Sequence, residues 1–219
     1  MKKLPIKSRL LSFSLILFVL FSVSCRQNNA SHYFKNGSAK YQLENYKSAV
    51  TDFDKAIELE EDNIDAYYVR ALCYGNLRKY DKALNDFNKV IKLNPDYTDA
   101  YINRGFYVLE KTGDFQAAIN DYNMYLNLNK SGDNAFAYNN RGYAKYKLND
   151  YEGAMNDIQE SIRLNPDNSF VYKNRALIYI SLDSLNLACQ DLEKANTLGF
   201  SEDFGNEIND LVSKFCIED

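Results

Sequence analysis

Histidine occurs once in the 219 residues, at His32, and tryptophan does not occur at all. No Cys/His pairing, no Ser/His/Asp arrangement, no Gly-rich phosphate loop and no cluster with metal-ligand spacing is present. Catalysis is therefore not the expectation, and no cofactor is implied. His32 itself reads as a solvated residue at the start of a helix. A basic stripe is lacking too. Lys and Arg number 26 against 30 Asp and Glu, a net charge of −4. Setting aside the basic leader (Lys2, Lys3, Lys7, Arg9) leaves 22 against 30, or −8. Because phosphate neutralisation supplies most of the affinity for nucleic acid, such a chain is a poor nucleic-acid binder. The longest apolar run, Leu10 to Val23, is about 14 residues and too short for a comfortable membrane span.

What is present is a repeat. Tyr33, Tyr67, Tyr101, Tyr138 and Tyr172 follow one another at spacings of 34, 34, 37 and 34 residues. Thirteen or fourteen residues after each stands Tyr46, Tyr80, Phe115, Tyr151 or Leu185. Three further on is always alanine (Ala49, Ala83, Ala118, Ala154, Ala188), and four beyond that a large apolar residue (Phe53, Phe87, Tyr122, Ile158, Leu192). A small residue lies four after each first tyrosine: Gly37, Ala71, Gly105, Gly142 and Ala176. In the second block Tyr67, Arg70, Ala71 and Tyr74 fall at i, i+3, i+4 and i+7, one face of a helix. Ala83, Phe87, Val90 and Ile91 mark the inward face of a second helix. Small residues on the first helix are expected to meet the alanine of the second. Pro95 and Pro166 end second helices, since proline lacks the N–H and constrains its predecessor.

These residues resemble the tetratricopeptide repeat, a helix–turn–helix unit of 34 residues. Two departures are an Arg in place of the usual apolar residue three after the first tyrosine in blocks two to five, and the missing tryptophan. The resemblance implies an all-α, right-handed superhelical solenoid of five repeats at 30–63, 64–97, 98–134, 135–168 and 169–202. One block cannot bury its apolar face alone, and stacking supplies the continuous core. An extra residue in block three is expected in the turn at Lys111–Asp114, and two more at Lys130–Asp133, where insertion costs little. Residues 203–216 read as a capping helix with an apolar stripe of Phe204, Ile208, Leu211, Val212 and Phe215.

Residues 1–24 read as a secretory signal, and Ser22-Val23-Ser24-Cys25 resembles the cleavage junction of bacterial lipoproteins. That resemblance implies lipid on Cys25, attachment at the cell envelope, and the outer rather than the inner membrane, since no aspartate follows the cysteine. The tether 25–30 is short, so block one would sit close to the bilayer.

Opposite charges repeat with the blocks. Arg70, Arg104, Arg141 and Arg175 share one position; Asp52, Asp86, Asp121, Asp157 and Asp191 share another. Ion pairs between helices are expected, within a block or between neighbours. The within-block register sets Asp52 against Asn36, and the other sets Asp191 against the cap. A ladder of arginines for an acidic ligand is the alternative.

In the family, the first helices line a concave surface that binds ligands. The corresponding stripe here includes Phe34, Tyr41, Tyr68, Phe106, Asn139, Tyr143, Tyr146 and Lys173. Asn103, Asn140 and Asn174 resemble the asparagine ladder by which some members hold an extended peptide backbone, an amide being both donor and acceptor. The aromatics serve equally as packing between first helices. Cys189 takes a position held elsewhere by Val50, Leu84, Ile119 and Met155, which should face the cap that carries Cys216. A disulfide and two free thiols both remain open, because an antiparallel cap brings residues 211–213 opposite Cys189. The implied function is binding of a protein or extended peptide as scaffold or assembly factor. A glycan or other apolar ligand, self-assembly into a structural homo-oligomer, and an enzyme accessory subunit are the alternatives.

Overall fold

The computed structural model describes residues 29–130, 132–200 and 206–216. The leader, Cys25 and most of the tether lie outside the described residues. All regular structure among the described residues is helical. The chain forms two compact units, the first ending at Pro95 and the second starting at Asp96.

In the first unit, α1 (29–42) pairs with α2 (Tyr46–Leu59), and α3 (Ile64–Asn76) with α4 (Tyr80–Leu93). The second unit opens with α5 (Thr98–Arg104), which runs on through a π turn (Gly105–Leu109) and a last turn (Glu110–Thr112). It continues with α6 (Phe115–Leu128), α7 (Ala135–Lys147), α8 (Tyr151–Leu164), α9 (Ser169–Ser181), α10 (Leu185–Thr197) and α11 (Glu207–Phe215). The expected array of helix pairs is thus observed.

Each pair is joined by the same turn. Glu44, Arg78, Gly113, Asn149 and Asp183 take positive φ values of 57°, 55°, 83°, 62° and 55°. The next residue returns its N–H to the carbonyl five residues earlier, Asn45 to Lys40, Lys79 to Tyr74, Asp114 to Leu109, Asp150 to Lys145 and Ser184 to Tyr179. A left-handed residue at a helix end lets the next amide satisfy an orphan carbonyl. The next residue also caps the second helix: Asn45, Asp114 and Asp150 accept from the backbone N–H three residues on.

The constant turn corrects the expected place of the extra residue in block three. The turn at Gly113 has the standard length, so the insertion sits inside the first helix as the π turn Gly105–Leu109. Its consequence is a shift of one residue: the Leu109 carbonyl accepts the turn hydrogen bond that the Tyr74 and Lys145 carbonyls accept elsewhere, and Leu109 is buried. The other two extra residues lie in the loop before α7, as expected. There Asn129 Nδ2 donates to Asn134 Oδ1 at 3.1 Å, and Asn134 Nδ2 to the Asn129 carbonyl at 3.0 Å.

In blocks one, three and four the glycine of the first helix meets the large apolar residue of the second, rather than its alanine alone. A Cβ on Gly37 would stand 2.8 Å from the Phe53 ring, and one on Gly105 2.9 Å from Tyr122. Phe53, Tyr122 and Ile158 are fully buried in consequence. Burial of such a side chain stabilises by about 1.5–3 kcal/mol.

The last helix follows the array. α11 packs on α10, and Lys173 of α9 donates to Glu207 of α11 at 3.1 Å across a separation of 34 residues, one repeat. α11 therefore takes the place of a sixth first helix, and no second helix follows it among the described residues. Its residues Asn209, Asp210, Ser213 and Lys214 are exposed and polar.

Candidate functional site

The recurrent charges pair within blocks. Arg70 donates from Nε and Nη2 to the two carboxylate oxygens of Asp86, both at 2.7 Å. Arg104 grips Asp121, Arg141 grips Asp157 and Arg175 grips Asp191 in the same two-pronged way. This fork is the geometry a planar guanidinium offers a carboxylate. The third nitrogen reaches back one block in two cases, Arg70 Nη1 to Asp54 at 2.6 Å and Arg141 Nη1 to Asn123 at 2.7 Å. Block one differs from expectation. Asp52 pairs with Lys40 at 2.5 Å, while Asn36 bonds His32 on its own helix at 3.0 Å. Lys40 lies one turn beyond Asn36, and its long side chain reaches what the short amide does not.

Burial disfavours the charge of Arg70, but the hydrogen bonds and charges of Asp86 and then Asp54 outweigh it and hold the guanidinium above its usual value. For Asp86 and Asp121 burial dominates and raises the carboxyl, only partly offset by the facing arginine. The forks of these arginines are filled by aspartates of their own blocks, so a ladder of open arginines for an acidic ligand is not what the side chains form.

The expected groove aromatics divide by unit. In the first unit Phe34 packs on Phe53 (ring centroids 5.8 Å), Tyr41 on Tyr46 (5.7 Å) and Tyr68 on Phe87 (6.1 Å). All three are half-buried against the second helix of their own block. In the second unit the rings run from helix to helix. Phe106 meets Phe136 at 5.5 Å and Tyr143 meets Phe115 at 6.4 Å, while Tyr146 lies on the same helix as Tyr143, 6.2 Å away. Phe136 keeps 45% of its surface exposed. Phe136 lies two residues before Tyr138 and extends the aromatic stripe beyond the residues expected from sequence.

The asparagines do not form a row of equals. Asn103 Nδ2 turns back to the Asp99 carbonyl of its own helix at 2.8 Å. Asn174 Nδ2 donates to Asn139 Oδ1 at 3.0 Å, and Asn139 Nδ2 to Asn140 Oδ1 at 3.1 Å. Asn139, Asn140 and Asn174 are all buried, and Asn140 Nδ2 has no hydrogen-bond partner. The sequence puts Asn139 on the stripe but outside the ladder, because a single sequence does not show which amide accepts from which. A buried amide donor left unmade costs about 1–3 kcal/mol.

Cys189 and Cys216 are joined in a disulfide, with Cα atoms 5.6 Å apart. The last helix runs from Glu207 to Phe215. Residues 215–216, not 211–213, come opposite Cys189, whose Sγ also lies 3.8 Å from the Phe215 carbonyl. Cys73 is a buried free cysteine, its thiol pushed up to about 12 by burial.

A family model of the tetratricopeptide repeat matches residues 64–97 and 135–168, and a second, described as TPR repeat, matches 37–77. The chain carries tetratricopeptide repeats. No curated protein matches its sequence. Among solved structures, MamA 41-end from Desulfovibrio magneticus RS-1 superposes with a TM-score of 0.72 at 20% identity, over 80% of this chain and 97% of that one. YrrB, described as a TPR protein with an unusual peptide-binding site, gives 0.70 at 18% identity over 89% and 96%. PilW, a widely conserved type IV pilus biogenesis factor, gives 0.70 at 18% identity over 87% and 95%. At these identities the shared property is the TPR fold.

Proposed function

We propose that this TPR protein is a protein-binding scaffold that takes an extended segment of its partner along the first helices of the second unit. The observation that carries the reading is the buried amide cluster Asn139–Asn140–Asn174, with its unpartnered donor at Asn140 Nδ2. Asn140 Nδ2 is shielded from solvent in the free chain, and a backbone carbonyl of the partner becomes its acceptor when the neighbouring side chains move aside on binding. The Phe106–Phe136 and Tyr143–Tyr146 rings flank the cluster in sequence and offer apolar surface to the partner's side chains. The description of YrrB as having a peptide-binding site fits the same mode on the same fold. Attachment to the envelope through lipid on Cys25 belongs to this reading and would set the scaffold beside membrane-associated partners.

A photo-crosslinking amino acid at position 136, used in intact cells and followed by mass spectrometry, identifies the partner segment. Affinity for that segment is then compared between the wild type and Asn140→Ala. At least a tenfold loss is expected, in keeping with about 1–3 kcal/mol for a buried polar contact, measured at a temperature where both proteins are folded because Ala also removes the acceptor of Asn139 Nδ2. Equal affinity in the two proteins would remove the amide cluster from the site.

A further inference from the structure

We propose that the Cys189–Cys216 disulfide is a releasable latch: exchange with a dithiol reductant frees α11 and uncovers the end of the first-helix face at Lys173. The argument begins with how little else holds this helix. It has nine residues, and an isolated helix of that length is unstable in water. Only Ile208 among its side chains is fully buried, with Leu211, Val212 and Phe215 half-buried. By contrast, the preceding first helix α9 buries Val171, Tyr172, Asn174, Ala176 and Ile178.

α11 also lacks the repeat's own fastenings. Asn209 stands one repeat after Arg175, so there is no guanidinium fork, and Asp191 is already held by Arg175. No second helix follows it among the described residues. The Lys173–Glu207 pair is weak support, because the Glu207 side chain is 52% exposed. The disulfide at the far end of α11 thus takes over the fastening that a second helix gives every other block.

The bond is open to exchange. Both cysteines are half-buried rather than enclosed. A thiolate of the dithiol attacks one sulfur, forming a mixed disulfide and expelling the other cysteine as thiolate. The second thiol of the reductant then closes its own disulfide and releases the first cysteine. Two electrons and two protons pass to the protein, and the reductant leaves oxidised. Cys73, fully buried, takes no part.

Release separates Glu207 from Lys173, whose amine also lies 5.8 Å from the Tyr143 ring and 5.7 Å from the Phe200 ring. Its side chain is 12% exposed with the cap seated. The effect on partner binding rests on the function proposed above; the release itself does not.

The test uses the full oxidised chain, with and without millimolar dithiothreitol, and the Cys189→Ser/Cys216→Ser variant. Hydrogen exchange should accelerate at least tenfold across 207–215 after reduction, with α7 and α8 unchanged. Acetylation of Lys173 by an N-hydroxysuccinimide ester should speed up several-fold in parallel. A variant that fails to fold leaves the reduced wild type to decide. Unchanged protection of 207–215 after reduction overturns the latch, because packing alone then holds the helix. Loss of protection throughout α9 and α10 overturns it equally, making the bond a structural staple. Resistance of the folded chain to dithiothreitol overturns it as well.

Discussion

Arg104 holds Asp121 by two parallel hydrogen bonds, Nε to Oδ2 at 2.7 Å and Nη2 to Oδ1 at 2.5 Å, with the carboxylate side chain only 5% exposed. Removing the arginine leaves a buried charge facing nothing of opposite sign, the case in which breaking an ion pair costs about 3–5 kcal/mol. Arg104→Ala is therefore expected to lose that much at pH 7 by chemical denaturation. The cost should shrink on acidification. Burial already raises the Asp121 carboxyl above its usual value, and removing the cation raises it further. A carboxyl with a raised folded-state value binds its proton more tightly when folded. Its contribution is present below the unfolded value and lost as pH rises through the folded one. Equal losses at pH 7 and pH 4.5 would contradict this assignment.

The interhelical turns offer a stabilising change. Block two puts Arg78 at the left-handed position, at φ 55°, and Lys79 at the cap, which makes no side-chain cap bond. The equivalents in block three are Gly113 and Asp114, and Asp114 does accept from Ala117. Lys79→Asp should add about 0.5–2 kcal/mol as an N-cap, and Arg78→Gly a few tenths to about 1 kcal/mol by removing the Cβ penalty. The double variant should unfold at higher temperature than the wild type. No rise in melting temperature would show that these two backbone sites are already relaxed.

Lipid attachment has its own test. Cys25→Ala should leave the protein soluble or unprocessed when cells are fractionated, since stable anchoring draws on more than one acyl chain. Membrane partitioning of the variant at its mature size would rule out Cys25 as the anchor.

The block period, the helix pairing and the Arg–Asp positions were legible because each repeats, and repetition fixes faces without knowing contacts. Three features were not. Asp52 finds Lys40 instead of Asn36, since spacing gives the face of α1 but not the reach of its side chains. Cys216 meets Cys189 where residues 211–213 are expected, since an apolar stripe gives the inward face of the last helix but not its register along α10. The amide chain through Asn139 depends on which neighbouring amide turns its oxygen, a choice invisible to a one-letter pattern.

The extra residue of block three gives the sharpest test of repeat logic. Counting places it between Tyr101 and Phe115, and a turn would ordinarily absorb it. Here the turn is fixed by its left-handed residue and its Asp114-to-Leu109 hydrogen bond, so the helix takes the insertion as a π turn. Gly105 must remain, because it lies against the Tyr122 ring, and Leu109 must remain as a turn acceptor. Tyr107 is the residue in excess: half-buried, its ring in edge contact with Phe106 at 5.1 Å. Deleting Tyr107 should convert 98–112 into a regular α-helix with the other faces in register. That aromatic contact, about 0.5–1.5 kcal/mol, is lost with the partial burial of the ring, and the π hydrogen bonding is replaced by standard α-helical bonds. Near-unchanged denaturant stability is the expected result. If the deletion instead costs more than about 3 kcal/mol, the residue is part of the packing and the insertion must be assigned elsewhere. Because π turns often sit at functional sites, the same variant measured against the crosslinked partner segment separates the two roles: intact stability with lost affinity would place the bulge in the binding face.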